Sequence, residues 1–279
     1  MESGSVVGLI AGSGRLPEIL AEAIKAKGHR LLWLTVGAET LPPPPIADYQ
    51  YHIRFGQLSQ VPQILLSHQV RHVLLAGRVP RAALFTVGEP ALSQDRAPLG
   101  DRRDQAILVH VAQLLGQMGI TVISPLQFVG ELVVSPGVHT RRAPTEAEWR
   151  DIHLGMPVAR AVAALDVGQT VALKDGVILA VEAAEGTDAT IQRAGAMVEG
   201  IRVIKAARPS QDERFDLPTV GAQTIDVLVR ARAALLAVEA RKTLLLDPKQ
   251  TLAAADAAGI AFIGVEASIH EASADTRSG

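Results

Sequence analysis

The stretch VVGLIAGSGRLPEILAEAIKAKG, residues 6–28, decides the fold. Val6–Ala11 is an apolar run of strand length, of the kind that both faces of a parallel sheet cover. Gly12, Ser13 and Gly14 turn the chain, and Pro17 stands where a first helical turn tolerates it. Ile19, Leu20, Ala23 and Ile24 then recur at helical spacing until Gly28 stops the helix. Strand, glycine turn and amphipathic helix make the first half of a βαβ unit.

The same rhythm continues outward. Residues 31–36 read as a second strand, and the prolines at 42–45 force a loop. A helix is expected over 61–69, a buried strand at His72–Ala76, a helix over Asp104–Gln117 and a short strand at 121–123. Strands alternating with helices at this spacing imply an α/β domain with a largely parallel sheet, placed at residues 1–132. Beyond it the rhythm changes. Residues 135–157 hold three prolines and one short helical stretch and read as a linker or domain entry. QTVALKDGVILAVEAAEGTD (169–188) carries Asp175-Gly176 between two strand-like runs, a hairpin signal. Strands at 203–206, 243–246 and Ala261–Val265 and helices at 224–236 and 251–258 complete an α+β domain at 133–279.

At 279 residues the chain is longer than one average domain. Apolar residues make up 48% of it and aromatic residues 3%, which suits helices packed on sheets rather than disorder. A net charge of −2 argues against a nucleic-acid partner. The absence of cysteine excludes a thiol nucleophile, cysteine–zinc sites and disulfides. The histidines have no HxH or HExxH spacing, which speaks against zinc. The start of the chain lacks a basic segment followed by a long apolar one, and no apolar run approaches the roughly 20 residues of a membrane span. A cytoplasmic location is expected.

Four places concentrate chemistry. Gly12, Ser13, Gly14 and Arg15 follow a buried strand, where backbone N–H groups can meet a phosphate at a helix start. Here the dinucleotide pattern fails, because position 17 is proline, and Glu39 is only a late candidate for the ribose acceptor. A tight turn without a ligand and a phosphate site both remain open. Gly77 and Arg78 follow the 72–76 strand, and in a parallel sheet this turn belongs beside the first one. Around VEAAEGTDATI, Glu182, Glu185, Thr187 and Asp188 crowd a glycine turn. Either Thr187 or Asp188 caps the next helix, or carboxylates and backbone donors there form a metal or phosphate site. KAARPSQDERFDLPTVG places Lys205, Arg208, Gln211, Asp212, Arg214, Asp216 and Thr219 in and around one loop. Cations beside carboxylates suit phosphoryl chemistry, since cations neutralise phosphate oxygens while carboxylates hold Mg²⁺ or orient water.

Taken together, GLIAGSGRLP, AGRVPR, LAVEAAEGTDATIQR and RPSQDERFDLPTVGAQTI resemble the LpxI-type UDP-2,3-diacylglucosamine pyrophosphatase family, in order and over nearly the whole chain. The resemblance implies a Rossmann-like N-terminal domain joined to a C-terminal domain peculiar to the family. It implies Mg²⁺-dependent hydrolysis of UDP-2,3-diacylglucosamine to 2,3-diacylglucosamine 1-phosphate (lipid X) and UMP, in lipid A biosynthesis. The family's essential aspartate falls on Asp216 of DLPT. Its EGTD falls on Glu185 to Asp188 and its QD on Gln211-Asp212. Asp216 and Asp188 are then the metal candidates, with Lys205, Arg208 and Arg214 steadying the pyrophosphate. An acylated substrate also implies peripheral access to the inner membrane, and a homodimer is expected on base rates of oligomerisation alone. Arg208 departs from the family's commoner lysine, exchanging a point charge for a planar fork. Two rival readings are a non-catalytic binder of UDP-sugar lipids and an NAD(P)-dependent oxidoreductase.

Overall fold

The computed structural model describes residues 1–2, 4–37, 43–77, 104–209, 212–215 and 217–266. They fall into two compact units, Met1–Glu131 with Asp212–Asp216, and Leu132–Gln211 with Leu217–Gly279.

In the first unit, β1 (Val6–Ala11), α1 (Leu16–Ala26) and β2 (Arg30–Val36) follow the pattern of the opening stretch. β3 (Tyr49–Ile53), α2 (Val61–Ser67), β4 (His72–Ala76), α3 (Asp104–Gln117), β5 (Thr121–Val122) and α4 (Leu126–Val129) complete it. Every strand pair is parallel, in the order β3-β2-β1-β4-β5. The expected α/β sheet is therefore present, with one strand more than the pattern predicted. β3 (YQYHI) was hidden because an edge strand faces water on one side, and Gln50 and His52 are exposed. Leu32, Leu34, Leu65, Val73, Leu115 and Ile120 form the core between sheet and helices.

The second unit contains β6 (Gly137–Val138), α5 (Glu146–Ala164), β7 (Thr170–Lys174), β8 (Val177–Val181) and α6 (Thr187–Met197). After these come β9 (Arg202–Lys205), β10 (Thr219–Val220), α7 (Ala222–Arg230), β11 (Leu235–Glu239), β12 (Leu244–Leu245), α8 (Pro248–Ala257) and β13 (Ala261–Val265). The main sheet runs β6-β13-β11-β9-β7-β8, and a two-stranded sheet joins β10 to β12. β9, β11 and β13 are parallel, whereas β7 and β8 form the hairpin that Asp175-Gly176 signalled. Both turn residues have positive φ, at 49° and 81°, as a tight primed turn requires. The sheet is covered on both faces. Val171, Leu173, Ile204, Leu235 and Ile263 pack with Ile152, Met156 and Ala159 of α5. Val203, Leu236, Val238 and Phe262 pack with Ile191, Leu228 and Ala255 of α6, α7 and α8.

Two expectations are corrected here. The helix predicted over 224–236 ends at Arg230, and the residues after it start the central strand β11. The switch occurs at Arg232, which adopts φ 52° without the glycine that usually marks it. The apolar run AALLAV is compatible with either element by pattern alone. The short helical stretch expected within 135–157 is longer than its prolines suggest, because α5 runs for 19 residues straight through Pro157. Proline removes one helical donor, but burial of Ile152, Met156 and Ala159 on the sheet outweighs that loss.

The start of α5 is tied down by charge. Thr145 and Glu148 form a reciprocal capping box. Arg142 donates to both oxygens of Glu148 and to the Ala234 carbonyl. Burial opposes ionisation of Glu148, yet these bonds hold its carboxyl below the usual 4.5. Its contribution to stability is therefore complete above the unfolded value and is lost as pH falls through the lower folded value. Arg142→Met should cost about 1–3 kcal/mol at neutral pH, reduced from a fully buried pair because Arg142 is one-third exposed. Urea unfolding across the acid range should also show a shallower loss of stability below pH 4.5 in the variant than in the wild type.

Candidate active site

The side chains best arranged for chemistry lie on one edge of the second unit's main sheet. Thr170, at the start of β7, pairs with Lys205 at the end of β9, and Lys205 also pairs with Val238 of β11. Strands β8, β9 and β11 thus end along the same edge, delivering Glu182, Lys205 and Glu239 in turn. Their exposures are 8%, 7% and 2%, so all three are buried charges that need partners.

Each has them. The Thr187 hydroxyl donates to Glu182 Oε1 at 3.0 Å, and Lys205 Nζ donates to the same hydroxyl at 3.5 Å. The Gln169 backbone N–H donates to the other oxygen of Glu182. Glu239 accepts from the Ala207 backbone N–H at 3.0 Å and pairs with Lys242 at 3.0 Å and Arg160 at 3.4 Å. Arg208 lies 3.0 Å from Asp166. Lys205, Arg208, Arg160 and Lys242 therefore stand around three carboxylates at the exit of the parallel strands, where α/β sheets place their ligands.

The turn before α6 separates two roles that its sequence left mixed. Gly186 (φ 84°) is the residue before the helix and no side chain caps it, so neither Thr187 nor Asp188 serves as the cap. Thr187 turns to Glu182 and Lys205. Glu185 takes donation from the Ala183 N–H, the Thr190 hydroxyl and Arg193, holding the turn together. Its own backbone N–H, the neighbouring guanidinium and Thr190 keep its carboxyl below the usual range. Asp188 stands half-buried in the first turn of α6, and among the described residues it makes no hydrogen bond or ion pair.

In the first unit, the two predicted turns do meet. The Gly12 N–H donates to the Ala76 carbonyl at 2.8 Å. A Cβ on Gly77 (φ 93°) would come within 2.7 Å of the Gly12 backbone and 2.8 Å of the Ser13 carbonyl oxygen. Gly14 also has positive φ (111°). Arg15 lies 2.6 Å from Glu18 and 3.5 Å from Glu22 along its own helix. Asp212 and Arg214, also of this unit, bind each other: both Asp212 oxygens accept from the guanidinium, at 2.6–3.1 Å. That pairing lowers the Asp212 carboxyl and raises the Arg214 guanidinium. Arg214 also stacks over Phe215. Thr219 opens β10 and pairs with Leu244 in register. Asp216, Gln211, Arg78 and Glu39 lie outside the described residues.

Sequence reasoning named Lys205, Arg208, Thr187 and Asp188 but passed over Arg160, Asp166, Glu239 and Lys242 as site residues. Glu239 carried one usable signal, a charged residue closing an apolar run at a strand's carboxyl end. The reading of that run as helix concealed it. Among the described residues, no group of three or more His, Asp or Glu side chains gathers to hold a metal ion.

Residues 6–132 match the model of the LpxI N-terminal domain, and residues 135–263 that of the LpxI C-terminal domain. UDP-2,3-diacylglucosamine pyrophosphatase LpxI of Caulobacter vibrioides is 30% identical over 276 residues, covering 93% of this chain and 97% of that protein. Thr187→Val removes the hydroxyl shared by Glu182 and Lys205 without touching the helix cap. It should cost about 1–3 kcal/mol in denaturant unfolding, and Thr187→Ser should recover most of that.

Proposed function

Since the chain belongs to the LpxI family, we propose that it hydrolyses the pyrophosphate bond of UDP-2,3-diacylglucosamine, releasing UMP and 2,3-diacylglucosamine 1-phosphate for lipid A biosynthesis. The observation that carries this reading is the row Glu182–Thr187–Lys205, with the Asp188 carboxylate, unpartnered among the described residues, one residue further on.

A pyrophosphate diester presents two negative charges to an attacking water. Lys205 and Arg208 supply positive charge, and the partners of each fix where that charge sits. Lys205 is directed by the Thr187 hydroxyl, which Glu182 holds in turn, and Arg208 is directed by Asp166. Positive charge held in place before reaction stabilises charge developing on the phosphoryl oxygens without reorganisation. Asp188 and Asp216 are the metal-ligand candidates, and Mg²⁺ would neutralise diphosphate oxygens when bound. Water adds to one phosphorus, the bridging P–O bond breaks, and the bridging oxygen stays with the other phosphate. The proton from the water passes to a carboxylate, the role that Asp188 or Asp216 can fill. The glycine turns of the first unit are a candidate phosphate or nucleotide site of that unit.

The rival readings are less favoured. The relative that matches along 93% of the chain is named a pyrophosphatase, which supports neither rival. Among the described residues no helix is long and apolar enough to cross a membrane. A cytoplasmic enzyme reaching its acylated substrate at the inner-membrane surface, alone or as a homodimer, is part of the proposal.

Purified protein should release UMP from UDP-2,3-diacylglucosamine with Mg²⁺ and lose that activity in EDTA. Asp188→Asn and Asp216→Ala should each lower turnover by about 10²-fold or more with stability changed by less than about 1 kcal/mol. Lys205→Met should lower turnover comparably. Release unaffected by EDTA would remove the metal from the mechanism, and binding of intact substrate without UMP release would leave the chain a binder.

A further inference from the structure

The turn after β11 carries Lys242 back over the end of its own strand. Arg241 makes that return in the left-handed region, at φ 64°. A residue with a Cβ adopts it at a cost, and such strained positions cluster at functional sites. The turn is pinned on both sides. The Arg241 N–H donates to the Val134 carbonyl at 2.8 Å, and the buried Thr243 hydroxyl donates to the Glu239 carbonyl at 3.0 Å. Lys242 Nζ then meets Glu239 Oε1 at 3.0 Å, with the lysine side chain 46% exposed.

Glu239 is also met from within the unit. Arg160 of α5 reaches Oε1 at 3.4 Å, and the Ala207 N–H donates to Oε2 at 3.0 Å. An ion pair half open to water adds little to stability, so stability alone does not account for a strained turn that brings Lys242 there. An ammonium has three N–H donors. Glu239 takes one, and among the described residues no other partner takes the remaining two. They stand where parallel β9 and β11 end, the edge at which such sheets receive ligands. Through the single carboxylate of Glu239, Lys242 is also neighbour to Ala207, the residue before Arg208.

We propose that Lys242 is a substrate-binding residue, an ammonium that Glu239 holds at the sheet's exit to donate to an anionic phosphate oxygen. The kinetic consequence rests on the pyrophosphatase reading, whereas the anion contact itself does not. Lysine suits this duty, because its point charge and rotatable donors accept a phosphate oxygen from several directions. The contact is made to the substrate as it binds, before any bond breaks. Its loss therefore falls on KM rather than on kcat.

The test uses the full chain as wild type, Lys242→Met and Lys242→Arg. Arg230→Met is the control, since it removes the same charge at the end of α7, shortly before β11 begins. Isothermal titration with inorganic pyrophosphate is read beside steady-state UMP release. Lys242→Met should weaken pyrophosphate binding by about tenfold and raise KM by about as much, with kcat within about twofold. Lys242→Arg keeps the charge and should restore most of both, and Arg230→Met should match the wild type. Pyrophosphate affinity and KM within about twofold of wild type in Lys242→Met would overturn the proposal. An equal loss in Arg230→Met would overturn it by making net charge the cause, and a fall in kcat at unchanged KM would overturn it by moving the effect to the chemical step. If Lys242→Met does not fold, Lys242→Gln takes its place under the same outcomes. If the wild type releases no UMP, the pyrophosphatase reading falls and pyrophosphate binding alone decides the role of Lys242. If the wild type releases UMP without binding pyrophosphate, KM decides it, and a wild type that does neither overturns it.

Discussion

A charge taken out of water is tolerated only where another charge or a full set of hydrogen bonds meets it. The edge where β8, β9 and β11 end buries three, Glu182, Lys205 and Glu239, and much of the second unit is arranged around that constraint. Parallel pairing of β9 with β11 brings their last residues to the same edge. The antiparallel hairpin returns β8 so that Glu182 arrives there too. Thr187, at the start of α6, stands between Glu182 and Lys205, and Arg160 of α5 answers Glu239 from the covering helix. Replacing Glu239 by a hydrocarbon would leave the mostly buried Arg160 without its carboxylate. The apolar core beneath it is more forgiving of exchange, since volume-conserving apolar swaps there usually cost less than about 1.5 kcal/mol.

The first unit was legible because its signals are local. A six-residue apolar run, a glycine turn and an amphipathic helix lie within 23 residues, and each depends only on its own stretch of chain. The meeting of the two glycine turns was also legible, because parallel strand order dictates it. The requirement at Gly77 was not. Its left-handed conformation and the 2.7 Å approach to Gly12 arise from a partner 65 positions away in the chain.

The second unit was harder for related reasons. AALLAVE is as good a helix as a strand by composition, and the turn before it uses Arg232 in a conformation that glycine usually marks. Once that strand was read as helix, Glu239 lay mid-sequence rather than at a strand's end, and its partners Arg160 and Ala207 could not be inferred. Lys205 and Arg208 were found because they sit in a conspicuous charged stretch. Arg160, Asp166 and Glu239 were not, since each is a single charge in an apolar or mixed setting. Their role exists only through contacts with residues 32 to 79 positions away.

Density of charge in the sequence turned out to be a poor guide to which carboxylates are available for chemistry. The most crowded loop, DERFD, has its first acid committed: Asp212 is wrapped by Arg214, and the low proton affinity of its carboxyl comes mainly from that bond. Glu185 is engaged with Arg193 and with the turn it stabilises, and Glu239 with two cations and a backbone donor. For any of these to bind a metal ion, an ion pair must first be broken, and the gain of the new contact is offset by the charge left behind. Asp188 carries no such debt. It is the least conspicuous acid of EGTD, with its neighbours Glu185 and Thr187 already engaged, and its carboxylate can meet a cation without dismantling anything around it. Within EGTD, availability rather than the number of charges nearby distinguishes Asp188 from Glu185.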